Sequence, residues 1–223
     1  MTPRERWLGA TWPLVRTRLP VAPACVVELG CGPLGGFVPR LRSAGYDAIG
    51  VDPQAPEGPQ YQQIEFERAE LPRHVDAVVA STSLHHVTSP AHVLDRITST
   101  LRPGARLVVV EWAWERFDEP TAGWCFNRLG PDDEPGWLHR RRSEWLASGR
   151  DWLSHFREWA DGENLHAGAT LIRLLDQRFE RQLLAYGPYF FADLPGTAVP
   201  GEQAAIEAGQ IQATRIDWVG VLR

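Results

Sequence analysis

The sequence predicts an α/β fold built on a mainly parallel sheet with helices on both faces. Three observations carry that expectation. Short apolar runs at residues 24–29, 75–81 and 107–110 have the near-continuous character of strands buried on both faces. Helical segments separate these runs, which implies right-handed crossovers between parallel strands. The first run opens directly into a glycine-rich turn, Gly30-Cys31-Gly32-Pro33-Leu34-Gly35-Gly36, where strand gives way to helix.

Taken in order, Thr2 can cap a first helix, with Pro3 in its first turn and Glu5 closing a capping box. Pro13 is expected to bend or end that helix, and residues 20–23 to form a loop. After the first strand and its turn, a helix is expected over about 36–44, stopped by Gly45, then a second strand at 48–52 ended by Pro53. Residues 54–60 read as a Pro/Gly-rich loop, 61–67 as a weaker third strand and 75–81 as the fourth. Ser89-Pro90 opens a helix reaching Leu101, and Arg102-Pro103-Gly104 turns into a fifth strand at 107–111. Residues 112–178 read as largely helical and unusually aromatic. There Trp145, Trp152 and Trp159 recur at seven-residue steps, with Phe156 on the same stripe. Such a stripe either buries a helix face against the sheet or lines an apolar pocket beneath a lid. Two closing strands are expected at about 179–191 and 212–222, joined by a polar Gly/Pro loop.

With 223 residues, 43% hydrophobic and 23% charged, the chain has the balance of an ordinary globular protein. No apolar stretch reaches membrane-spanning length, and the segment Arg4-Glu5-Arg6-Trp7 lacks the apolar core of a secretory signal. A cytoplasmic location with no membrane partner is therefore expected. Cys25, Cys31 and Cys125 form no CxxC pair, so neither a disulfide framework nor a metal site is expected. A net charge of −5 argues against a nucleic-acid partner. The dense basic run Arg140-Arg141-Arg142 is a solvated helix face or a contact for an anionic substrate. Every basic chain is Arg, so lysine chemistry is excluded.

The chemistry is concentrated after the first strand. Gly30, Gly32 and Gly35 satisfy GxGxxG, and Asp52 follows about twenty residues on, as in dinucleotide-binding proteins. That spacing leaves a nicotinamide-dependent oxidoreductase open. Glu28 points elsewhere: a carboxylate within a buried strand needs donors or a positive charge, and it suits an ammonium or sulfonium better than a pyrophosphate. Asp52, at the end of the second strand, can accept from both hydroxyls of a ribose.

In these segments the chain resembles the class I, Rossmann-like methyltransferases that act on small molecules. Glu28-Leu29-Gly30-Cys31-Gly32 is similar to the family's first motif and Val51-Asp52-Pro53 to its second. Glu67-Arg68-Ala69-Glu70-Leu71-Pro72 resembles the acidic loop after strand three, with Glu in place of the commoner Asp. Val75-Asp76-Ala77-Val78-Val79, followed by Ser83-Leu84-His85-His86-Val87, resembles strand four and its turn. Leu101-Arg102-Pro103-Gly104-Ala105-Arg106-Leu107 resembles the turn into strand five, with Ala105 for the usual second Gly. The resemblance runs from about Val26 to Glu111 and implies a seven-stranded, mainly parallel sheet with a helical, Trp-rich insertion after strand five. It implies S-adenosylmethionine as cofactor, with contacts at Glu28, Gly30, Cys31, Gly32, Leu34, Asp52, Pro53, Glu67, Arg68 and Ser81. One domain, 1–223, is then expected: an N-terminal helical segment (1–22), a cofactor-binding half (23–111), a helical substrate or lid segment (112–178) and closing strands (179–223).

Methyl transfer requires a base only when the acceptor must lose a proton. His85 and His86, just past strand four at the ligand-binding edge, are the candidates, against a purely local hydrogen-bonding role. Glu111, at the end of strand five, is expected to complete the turn there rather than face substrate, and Cys31 to be a packing residue. No His/Asp/Glu cluster suggests a metal. The acceptor is expected to be a small, apolar or aromatic molecule. The oxidoreductase and a catalytically inactive, cofactor-binding partner protein remain as alternatives.

Overall fold

The computed structural model of the protein describes residues 1–130 and 136–223. Helix α1 (Pro3–Arg18) starts with the expected capping box, Thr2 accepting from the Glu5 N–H and Glu5 accepting from the Thr2 N–H. It does not end at Pro13. Its buried residues Trp7, Leu8, Thr11 and Val15 pack on the sheet, and this packing outweighs the roughly 3 kcal/mol that an interior proline costs locally.

Next come β1 (Cys25–Leu29), α2 (Val38–Ser43), β2 (Asp47–Val51) and β3 (Tyr61–Gln62). Strand β3 is far shorter than the expected 61–67, because the chain leaves the sheet and forms a 3₁₀ turn at Phe66–Arg68 that buries Phe66. Strand β4 (Val75–Ser81) and α3 (Pro90–Thr100), capped by Ser89, follow the sequence closely. Strand β5 (Leu101–Trp112) begins earlier than expected: Leu101 pairs with Val75 and Arg106 with Ala77, so the Arg102-Pro103-Gly104 turn bulges out between two paired segments.

The strand order is β3-β2-β1-β4-β5-β7-β6, where β6 is Phe179–Gly187 and β7 is Arg215–Leu222. Neighbours from β3 to β5 are parallel, and β7 runs antiparallel to both β5 and β6. Alternation along the strands sends Val27, Val78, Ala80, Leu107 and Val109 to one face. There they meet Val93, Leu94 and Ile97 of α3 and Leu171 and Leu175 of α7 (Gly168–Arg178). Val26, Ala77, Val79, Val108 and Val110 point to the other face, against α1 and α2.

Between β5 and α7 lie a 3₁₀ turn at Trp114–Arg116 and helices α4 (Glu119–Phe126), α5 (Trp137–Ser148) and α6 (Trp152–Gly162). Residues 131–135 of the expected helical segment lie outside the described residues. The tryptophan stripe does not occupy one helix. Gly149, at φ +63°, ends α5 in the left-handed conformation, so Trp145 belongs to α5 while Trp152, Phe156 and Trp159 belong to α6. Nor does the stripe bury itself on the sheet face. Trp112, Trp114, Phe117, Trp152, Phe156 and Phe190 form a separate aromatic core beyond the end of β5. Strand β6 ends at Gly187 and not near 191, because Phe190–Ala192 turn into a 3₁₀ segment that buries both phenylalanines, and the connection expected as a loop contains helix α8 (Val199–Glu207). No helix among the described residues is long and apolar enough to cross a membrane.

Candidate functional site

Strand order reverses at β1, whose chain continues outward to β2 while β4 lies on its other side. The carboxyl ends of β1 and β4 therefore splay apart into a crevice, the place where open α/β sheets take ligands. A cavity of about 480 Å³ occupies it. Its walls include Gly30, Gly32, Asp52, Pro53, Glu67 and His86, all expected from the sequence, together with Arg4, Phe66, Thr82, Ser83 and Val87.

The turn after β1 is held from below. Glu28 is fully buried and accepts the Phe37 N–H at 2.7 Å, while its Oε1 has no partner among the described residues. Burial pushes its carboxyl up to about 8, against the opposing pull of the Phe37 N–H and Arg4. Glu28 thus supports the turn from beneath and is not among the residues of the cavity wall. Gly32 has φ +63° and open space where a Cβ would stand, so a ligand can approach its backbone directly. Asp52, just past β2, accepts the Gln54 N–H at 2.7 Å through Oδ1 and lines the cavity.

The other expected contacts lie elsewhere. Cys31 is fully buried, and burial, followed by Glu28 and Asp52, pushes its thiol up to about 12, so it is a packing residue and no nucleophile. Ser81 is buried behind the wall, and Arg68 is exposed on the turn that carries Glu67, away from the cavity. Leu34 lines a smaller adjoining cavity with Arg4 and Trp7.

Arg4 is the charged wall residue that sequence reasoning did not mark. It reaches from α1 to donate to Thr82 Oγ1 at 3.0 Å and borders both cavities. No local pattern marks it, because only the docking of α1 brings it there. Thr82 itself sits at φ +49°, an uncommon conformation for a β-branched residue and one found at functional sites.

Just beyond β4, Glu111 accepts the N–H groups of Ser83 and Leu84, both at 2.6 Å, through Oε1, and its Oε2 lies 2.5 Å from His85 Nδ1. Burial raises the carboxyl, but His85 and the two N–H donors outweigh it and hold the group below its ordinary value. Glu111 thus ties the end of β5 to the turn after β4 and fixes the His85 ring so that Nδ1 faces the carboxylate. The rings of His85 and His86 lie 4.2 Å apart. Burial, and then His85, lower the pKa of His86, which keeps its ring neutral near pH 7.

A second cavity, also about 480 Å³, opens on the far side of the two histidines. Trp112, Trp137, Trp159, Tyr189 and Phe190 wall it; Arg140, Arg141, Glu163 and Asp193 supply its charges. Trp112 stacks on Tyr189 with centroids 5.6 Å apart and meets Trp137 edge-on at 5.4 Å. Of the aromatic stripe, only Trp159 lines this cavity; Trp152 and Phe156 form the core behind it. Tyr189 and Phe190 are held by Glu202 of α8, which accepts the N–H groups of Tyr189, Phe190 and Phe191 at 2.8, 3.1 and 2.6 Å. His86 borders both large cavities. Among the described residues no group of three or more His, Cys, Asp or Glu side chains is placed to hold a metal ion.

Comparison with known proteins agrees with this architecture. A family model described as a methyltransferase domain matches residues 6–185. A sequence search of curated proteins finds no match. Among solved structures, an S-adenosylmethionine dependent methyltransferase from Mesorhizobium loti is 19% identical, with a TM-score of 0.58 over 95% of this chain and 97% of that one. Geranyl diphosphate C-methyltransferase from Streptomyces coelicolor A3(2) is 14% identical, with a TM-score of 0.59 over 96% of this chain and 80% of that one. At such identities the likeness is one of fold.

Proposed function

The chain belongs to the methyltransferase-domain family, with S-adenosylmethionine as methyl donor, and on that premise we propose that it methylates a small, apolar or aromatic molecule held in the tryptophan-walled cavity. The observation that carries this reading is the meeting of the two large cavities at His86. One cavity is lined by Gly30, Gly32 and Asp52, as a donor site requires, and the other by the aromatic walls of an acceptor site.

The residues present fit the donor. Gly32 leaves its backbone open, Asp52 offers a carboxylate suited to a ribose diol, and the unpartnered Oε1 of Glu28 lies beneath a turn that would carry positive charge above it. In this reading Gly30, Gly32, Asp52 and Pro53 hold the nucleoside half, and Glu67 meets the adenine edge. Glu28 acts through the turn rather than by contact, and Cys31, Ser81 and Arg68 support the surrounding structure. Arg4 joins the set as a cation able to meet a carboxylate. When bound, the sulfonium supplies an activated methyl group, so the protein's own contribution is orientation and exclusion of water.

His85 is the group we assign to proton removal from the acceptor. Glu111 holds its Nδ1, which leaves Nε2 for the acceptor side and steadies the charge the ring acquires. His86 forms the partition between the two sites.

Titration calorimetry with S-adenosylmethionine and with NAD tests the donor assignment. Binding of the first, weakened by roughly tenfold or more in Asp52→Ala, is expected. Preference for NAD, or an Asp52→Ala variant that binds the donor unchanged, would overturn it.

A further inference from the structure

Arg141 is the anomaly of the second cavity. It lies on the wall, is 8% exposed, stacks over Trp159 at 4.7 Å, and uses Nη2 on Glu144 at 2.7 Å. Its Nε and Nη1 are buried and have no partner among the described residues. A guanidinium always carries its charge, and buried donors without acceptors are costly, so such an arrangement persists where an acceptor from outside completes it.

We infer that the acceptor carries an anionic carboxylate, which docks on Arg141 while its flat apolar body lies among Trp112, Trp137 and Trp159. This inference rests on the methyltransferase reading and narrows it to aromatic acids. A single negative charge suits the site better than a polyanion. Glu144 already draws on the guanidinium, and on the wall Glu163 and Asp193 offset Arg140 and Arg141, so a diphosphate would find no net positive charge there. The aromatic walls, and the stacking of Trp112 on Tyr189, favour a planar ring over a flexible chain.

The test is binding, measured by calorimetry on the full chain saturated with S-adenosylhomocysteine. The probes are 4-hydroxybenzoate, 4-hydroxycinnamate and indole-3-acetate, each beside its primary amide. At least one acid should bind at least about tenfold more tightly than its amide. Arg141→Met should abolish that preference while leaving amide binding and thermal stability near those of the parent, because an apolar chain of similar length fills the space. Glu144→Gln should strengthen acid binding by releasing Nη2, a gain that a merely structural role for Arg141 does not produce. Equal binding of every acid and amide, no binding of any probe, or a preference that survives Arg141→Met would overturn the inference. Failure of S-adenosylhomocysteine itself to bind would instead strike the donor assignment on which the inference rests.

Discussion

Replacing Glu28 with Gln should make the ligand-free protein more stable, by an amount that grows with pH. The Glu28 carboxyl is fully buried, receives one N–H and leaves one oxygen without a partner. Its pKa is pushed from an ordinary 4.5 to about 8 by burial. Between those values the folded chain keeps a proton that the unfolded chain has released. The site therefore does not weaken the fold below pH 4.5, and it weakens it progressively as pH rises, by ~1.4 kcal/mol per unit, until the loss levels off above 8. At pH 7 the accumulated loss is about 3 kcal/mol. Glutamine retains a carbonyl for the Phe37 N–H and carries no charge, so it removes the pH-dependent part. Urea unfolding of both proteins at pH 5, 6, 7 and 8 measures the difference directly. The variant's advantage should widen steadily across that range. A difference that stays flat, or a variant that loses stability at pH 8, refutes the reading of Glu28 as a carboxyl protonated in the folded state.

Two further substitutions probe the same edge of the sheet. Gly30 has φ +80°, and a Cβ there would stand 2.3 Å from that of Ser83, so Gly30→Ala should cost at least ~2 kcal/mol in urea unfolding and weaken donor binding in calorimetry. Glu111 titrates the other way: its folded pKa lies below its ordinary value, so its contribution is present above pH 4.5 and disappears as pH falls below that. Glu111→Gln should lower stability at pH 7 by roughly 1–3 kcal/mol, and the gap from the parent should close on acidification, as thermal melts between pH 7 and pH 3 would reveal.

What could be read from the sequence was whatever local chemistry determines. The turn of Gly30 and Gly32 and the placement of Asp52 after a strand follow from short strand–turn–helix units whose backbone leaves few choices. Features decided by packing between distant segments could not be read. Pro13 stays inside a helix because the buried face of α1 holds it there. The tryptophan periodicity crosses a helix break, since Gly149 interrupts it without disturbing the spacing. Strand β3 stops early because Phe66 finds its place under α3 rather than in the sheet, where Arg96 donates to its carbonyl. Arg4 belongs to the site only through the docking of α1. The run Arg140-Arg141-Arg142 was visible as a motif, but only the fold separates the buried Arg141 from the exposed Arg142.

The three N–H groups gathered by Glu202 bear on how this protein can change. The backbone behind the aromatic wall is anchored by a residue of α8 that contributes nothing to the wall's own shape. Tyr189 can therefore be exchanged for other side chains without dislodging the segment that presents it, whereas Phe190 is also locked into the aromatic core. Such a division of labour leaves the shape of the wall open to inheritance by small steps and marks Tyr189 as the natural starting point for redirecting the proposed acceptor site to new molecules.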